Sequence, residues 1–309
     1  MQFRDIQQLL PIVAWLVIVT GISYLIQFSL RNKQRGGVSL LTRNLLRCPG
    51  ESLRQRLEAV AANLNFSVVQ LLFLPIFLYI IYILPSADQV LGLDSSLLMA
   101  GGLFGLGFLG FFLFRTQKLL REQRQLHMEL DCQAAVGQEL NHLMQRGCFV
   151  YHDFPGEKFN ISHILVSPAG VYAVDTLARA KPNKGRGEAD ARVFYDGVTI
   201  NFPDWTETKP VEQVRVKAKW LAEWLESVVG ETVEVKPVIF LPSWFIRSER
   251  RHEVSLINEK HTKFLINPRE EKGLSEEISR RIACQIEQRC RLVEPVEHQK
   301  SEKCIEKQV

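Results

Sequence analysis

Side chains able to do chemistry are unevenly spread along this chain of 309 residues. Its six cysteines (Cys48, Cys132, Cys148, Cys284, Cys290, Cys304) show no Cys-x-x-Cys spacing and no histidines at finger distances, which argues against a zinc site or a redox pair. Along the helical pattern from Thr116 to Arg146, Val136, Leu140, Leu143 and Met144 share one side. At about 100° per residue Glu139 falls at the edge of that apolar stripe, so it is the acid able to lean towards a buried site. On a later helix opened by Pro210, the residues Val211, Val214, Ala218, Leu221, Leu225 and Val229 form a core stripe. Gln213, Lys217, Trp220 and Trp224 occupy a second face of it. Large aromatics there need cover: they either pack under residues 201–208, including Trp205, or form a binding or self-association surface. The run Lys181-Pro182-Asn183-Lys184-Gly185-Arg186-Gly187 reads both as a contact for a phosphate backbone and as a solvated loop. Arg247, Arg250, Arg251 and His252 form a comparable basic patch.

The elements that must position these groups begin after Phe114. Residues 115–309 carry 30 Lys and Arg against 29 Asp and Glu, whereas residues 1–114 carry 8 against 5. The basic excess therefore does not form a stripe on the C-terminal part, as nucleic-acid binding would want. Three stretches free of charge, about 10–28, 68–84 and 97–114, are long enough to read as membrane-spanning helices. Lysines and arginines crowd the loop 31–67 and the residues after 114, and none lies between the second and third stretches. By the positive-inside rule the expected topology has the N-terminus outside and the C-terminal domain in the cytoplasm. A multi-pass protein of the inner or plasma membrane, with the lipid bilayer as partner, is the expectation. Gly101 and Gly105 would allow close helix contact, within the bundle or in a dimer. No ionisable residue interrupts the stretches, which argues against transport.

Residues 116–130 read as a charged helical linker. Then come β-like runs at Cys148–Asp153, Ile161–Ser167 and Val171–Leu177, and a hairpin, Ala191–Tyr195 with Val198–Phe202, around Asp196-Gly197. The Pro210 helix follows, then strands at Val233–Leu241, His252–Ile257 and Thr262–Ile266. Residues 271–309 hold a last helix, Leu274–Leu292, and a charged tail. Helix, three-stranded meander, helix, strand is the order of an α/β domain with a mixed sheet.

Several blocks in this order resemble a known family: Ala135-Val136-Gly137-Gln138-Glu139-Leu140, His152-Asp153-Phe154-Pro155, Phe159-Asn160-Ile161-Ser162-His163 and Gly170-Val171-Tyr172-Ala173-Val174-Asp175. With Arg179-Ala180-Lys181-Pro182 and Pro210-Val211-Glu212-Gln213, they are similar to the nuclease-related (NERD) domain within residues 131–270. The likeness implies a restriction-endonuclease-like fold. It also implies a site in which a helix acid, the Asp of an Ile-Asp-His triplet and an acid-x-Lys pair hold a divalent metal and activate water. Under it Glu139 matches the helix acid, Asp175 the strand acid and Gln213 a later glutamine. Ser162 stands where the metal-binding Asp belongs, and Leu177 where the Lys belongs.

A hydroxyl is a poor substitute for a carboxylate on a hard dication, and leucine supplies no charge. Arg179, two residues beyond Leu177, is a candidate replacement but not a base at neutral pH. The expected function is therefore a membrane-bound nuclease-related domain, catalytically impaired and serving as a binding or scaffolding module without a cofactor. The alternative is a metal-dependent nuclease with a rearranged site, using Mg²⁺ or Mn²⁺ on Glu139 and Asp175. Arg179, Lys181, Lys184 and Arg186 are the candidates for nucleic-acid contact.

Overall fold

The computed structural model describes residues 45–83, 95–182, 190–248, 252–266 and 273–291. They belong to two compact units, residues 1–42 with 55–126, and residues 43–54 with 127–309. In the first lie most of helix α1 (Glu51–Ile83) and the larger part of helix α2 (Ser95–Asn141). Among the described residues, no helix is long and apolar enough to cross a membrane. This corrects the expected three-span segment, and with it the multi-pass localisation and its topology. The stretch 10–28 lies outside the described residues. The other two stretches sit in helices that continue through charged sequence, α1 from Glu51 and α2 beyond Arg115 to Asn141. Those polar portions pair with each other: Arg56 meets Glu122 at 3.7 Å, and the Arg115 guanidinium lies 5.8 Å from the centre of the Phe66 ring. Gly105 is buried, and the surroundings of Gly101 lie outside the described residues.

The second unit is an α/β domain. In chain order its elements are a 3₁₀ turn (His142–Arg146), β1 (Phe149–Pro155), β2 (Asn160–Ser167), β3 (Gly170–Thr176), β4 (Arg192–Tyr195), β5 (Ile200–Asn201), β6 (Thr206–Glu207), α3 (Lys209–Val229), β7 (Val235–Phe240), β8 (Phe245–Ser248), β9 (Ser255–Ile257), a second 3₁₀ turn (Glu259–Leu265) and α4 (Glu276–Cys290). One mixed sheet runs β1-β2-β3-β7-β9, antiparallel up to β3 and parallel beyond it. A smaller sheet runs β6-β5-β4-β8.

Strands β2 and β3 are nearly continuous apolar runs because both faces of the larger sheet are covered. Ile164, Val166, Val171 and Ala173 pack with Leu221 and Leu225 of α3 and Ile282 and Ile286 of α4. Their neighbours Leu165, Tyr172 and Val174 pack on the opposite face with Val136 and Leu140 of α2 and with Leu143. The hairpin turn is held as its residues predict, Asp196 Oδ1 accepting from the amides of Val198 and Thr199 at 2.9 and 2.6 Å.

Thr262–Ile266 is not a strand. Asn258 caps a 3₁₀ turn there, its Oδ1 accepting from Lys260 N while its Nδ2 donates to Trp244 O at 2.8 Å. Nor do Trp220 and Trp224 pack under Trp205, which stacks on Phe202 instead, ring centres 4.6 Å apart. Phe154 and Phe159 cover the two indoles, and the Arg289 guanidinium lies 5.4 and 5.2 Å from their centres.

Residues 45–54, within the loop read from sequence, are stitched into this domain. Arg47 N donates to Cys290 O at 3.1 Å, and Pro49 lies so close to helix α2 that a Cβ at Gly137 would sit 2.6 Å from its Cγ. Asp153, 2% exposed, anchors the strap: its carboxylate accepts from Arg47 Nη1 (3.0 Å), Ser52 N (2.9 Å), Ser52 Oγ (2.6 Å) and Asn160 Nδ2 (3.1 Å). It holds φ +48°, a left-handed conformation that Asp tolerates better than most residues. Removing one partner of a buried ion pair strands the other, so Asp153→Ala is expected to destabilise the domain by about 3–5 kcal/mol in urea unfolding. Ser52→Ala, which keeps the pair, is expected to lose about 1 kcal/mol.

Candidate functional site

Strand parity assigns the pocket. Asp175 follows Val171 and Ala173 in step, so it faces the α3 side of the sheet. Ser162 keeps step with Ile164 and Val166 on that same side. The antiparallel register pairs His163 with Val174, so the next pair brings Ser162 opposite Asp175. There Ser162 Oγ donates to Asp175 Oδ1 at 3.2 Å, and its amide points at the same oxygen at 3.4 Å. Gln133 Nε2, from α2, donates to Ser162 Oγ at 3.3 Å.

The other carboxylate oxygen is held by a residue to which sequence reasoning gave no role. Lys217 Nζ on α3 donates to Asp175 Oδ2 at 2.6 Å, with both side chains less than a fifth exposed. The available signal was the second face of α3, where Lys217 follows Gln213 by one turn. Among the described residues no hydrogen bond of this group comes from Glu139. It is half-buried on α2, about 120° round the helix from Gln133. Among the described residues the hydrogen bonds reaching Asp175 come from Ser162 and Lys217.

Behind the pocket runs a buried line of polar groups. His152 Nε2 meets Asn141 Oδ1 at 3.2 Å, the two Nδ1 atoms of His152 and His163 are 2.8 Å apart, and His163 Nε2 meets Thr176 Oγ1 at 3.1 Å. With the Asn141 oxygen facing it, His152 Nε2 donates, its Nδ1 accepts from His163, and His163 Nε2 accepts from the threonine hydroxyl. This chain is satisfied with both rings neutral. Burial drives His152 down to about 4 and His163 well below its ordinary range, the latter also through His152.

Arg179 does not enter the pocket. Its Nε and Nη2 each donate to Glu207 at 2.7 Å, and Trp205 Nε1 donates to the same carboxylate at 2.8 Å. The Arg179 bond holds the Glu207 carboxyl below the usual range, and the Glu207 bond raises Arg179. The pair lines a separate cleft of about 430 Å³ with Thr206, Thr208, Lys209, Pro210 and the exposed Gln213. Lys181 is exposed, whereas Lys184, Arg186, Arg250 and Arg251 lie outside the described residues. Leu177 is buried with Val211, Val214, Ile239 and Trp244.

Fold and pocket together define an α/β domain that presents one carboxylate, from the central strand of a mixed sheet, to the helix crossing behind it. Residues 130–242 match the model of the nuclease-related domain (NERD) family. No curated protein and no solved structure gives a match.

A divalent ion of the kind used in nuclease chemistry prefers about six oxygen ligands, several of them charged. Among the described residues no group of three or more His, Cys, Asp or Glu side chains is placed to hold a metal ion. Both oxygens of Asp175 are already engaged by Ser162 and Lys217. The donor set does not fit Mg²⁺ or Mn²⁺.

The buried histidines predict an acid-side instability. In the unfolded chain His152 takes up a proton near its ordinary value of 6.5, but in the fold only near 4. Unfolding therefore binds protons in that window, so stability is complete above it and declines as pH falls through it, by at most about 1.4 kcal/mol per pH unit for each histidine. Melting temperature followed from pH 7 downward is expected to fall, with a shallower slope in His152→Gln.

Proposed function

We propose that this nuclease-related domain serves as a binding or scaffolding module whose framework no longer cleaves phosphodiesters. One observation carries the reading: the acid that would hold a metal is closed on one side by a lysine and on the other by a serine hydroxyl. Metal-assisted hydrolysis needs a cation that polarises the phosphate and lowers the pKa of its bound water. A single carboxylate already neutralised by an ammonium offers weak purchase for such an ion. Arg179, committed to Glu207, does not compensate.

Leu177 also bears on which substitution would rebuild a metal site. It is 8% exposed in an apolar cluster, so a lysine there would place a charge in the core. Ser162→Asp is the simpler restoration, because the residue already faces Asp175 across two strands.

The full chain incubated with single- and double-stranded DNA and with RNA, in Mg²⁺ or Mn²⁺, is expected to leave all of them intact. Cleavage that disappears in Asp175→Ala would overturn the reading.

A further inference from the structure

We infer that Lys217 delivers from α3 the amine that the family motif places two residues after the strand acid, so that the acid–lysine pair lost from the sequence at Leu177 is kept in space. The inference rests on the reading of the pocket as a nuclease-related remnant. It adds that, of the two substituted motif positions, Ser162 is the one left without a replacement in space.

Three observations carry it. The first is the contact itself, 2.6 Å between Lys217 Nζ and Asp175 Oδ2, with side chains 17% and 18% exposed. A partly desolvated pair of this kind is screened less by solvent and salt than a surface ion pair. The second is the position of Leu177. It packs against Val211 and Val214, which lie on α3 a turn or two before Lys217. The helix that fills the space beside the motif's lysine position is thus the one that brings the replacement. The third is the guide for the flexible side chain. The Lys217 ammonium lies 6.0 Å from the centre of the Phe159 ring, and Phe159 meets Trp220 edge-on at 5.4 Å. Lys217 and Trp220 sit three residues apart on α3, so their side chains are neighbours on one face of the helix. An aromatic wall beside the lysine stem limits where the ammonium can go, and the limit leads to Asp175.

The amine is on Asp175 although Gln133 Oε1, a buried acceptor beside Ser162, has no hydrogen-bond partner. Ser162 and Gln133 bond to each other, and the Ser162 hydroxyl is spent on Asp175. The His152–His163 line is satisfied through Asn141 and Thr176.

The test is a double-mutant cycle on the full chain, read by urea unfolding. Lys217→Met leaves Asp175 without its cation, and Leu177→Lys adds a buried charge, so each alone is destabilising. If both positions deliver an amine to one carboxylate, a lysine at 177 rescues Lys217→Met. The doubly substituted protein is then more stable than the two single effects combined allow, by about tenfold in the unfolding equilibrium constant. Effects that multiply without coupling overturn the inference.

Should Leu177→Lys fail to fold, Mn²⁺ supplies an independent measurement. Ser162→Asp is expected to gain an Mn²⁺-dependent rise in melting temperature that vanishes on adding Asp175→Asn. That rise should grow on adding Lys217→Met, which removes the competing ammonium. An Mn²⁺ response indifferent to Lys217, or none at all, counts against the inference. Cleavage by the unsubstituted chain would sink the proposed function and leave the cycle standing.

Discussion

The pairing of β3 with β7 is parallel, and a tight turn cannot close a parallel pair. The chain must leave the end of β3 and cross back to the opposite edge of the sheet, where β3 began, to start β7, and this constraint organises much of the α/β domain. The smaller sheet's first three strands and helix α3 all lie within that crossover. Helix α3 meets the constraint by burying Val211, Val214, Ala218, Leu221 and Leu225. Each such apolar side chain larger than alanine is worth roughly 1.5–3 kcal/mol in area removed from water. Once that stripe is docked, the rotation of the helix is fixed, and so is the direction in which Lys217 extends. The ion pair with Asp175 is a consequence of topology and of apolar packing, reached across 42 residues of sequence.

Two polar clusters inside the domain, around Asp153 and around the histidine pair, follow a similar logic of completeness. A buried polar group without a partner is expensive, and a chain of partners is stable when every member is used. Asp153 is satisfied by four donors, three of them from the strap of residues 45–54, and the two histidines are satisfied by each other and by one residue at each end. The strap is accordingly part of the domain's core chemistry, although it lies about a hundred residues away in sequence.

Elements that repeat a physical period were legible in the sequence: β1 to β3, the Asp196-Gly197 turn, α3 and α4 all lie within a few residues of where periodicity and turn chemistry put them. Strands of two to four residues such as β6 and β8 were not legible, because so short a run carries too little pattern. Apolar length misled in the first unit for a related reason. A run such as 97–114 reports composition but not where its helix ends, and α2 continues through charged residues to Asn141. In the pocket, the resemblance named Ser162 and Asp175, and the β2–β3 register supplies their pairing. The parts contributed by Lys217 and Gln133 depended on how helices dock, which no local pattern records.

The serine and the lysine also belong together electrostatically. Two carboxylates directly opposite on adjacent antiparallel strands repel, and a cation between them is the usual remedy. With an Asp at 162, the pocket would carry two negative charges and call for a dication. With Ser162 it carries one, and the single positive charge of Lys217 balances it at hydrogen-bonding distance. The hydroxyl adds a donor to Asp175 Oδ1 where a second carboxylate would add repulsion. The pocket is thus neutral and fully bonded at Asp175 without any ion from solution, so retaining this acid in the fold places no demand on metal.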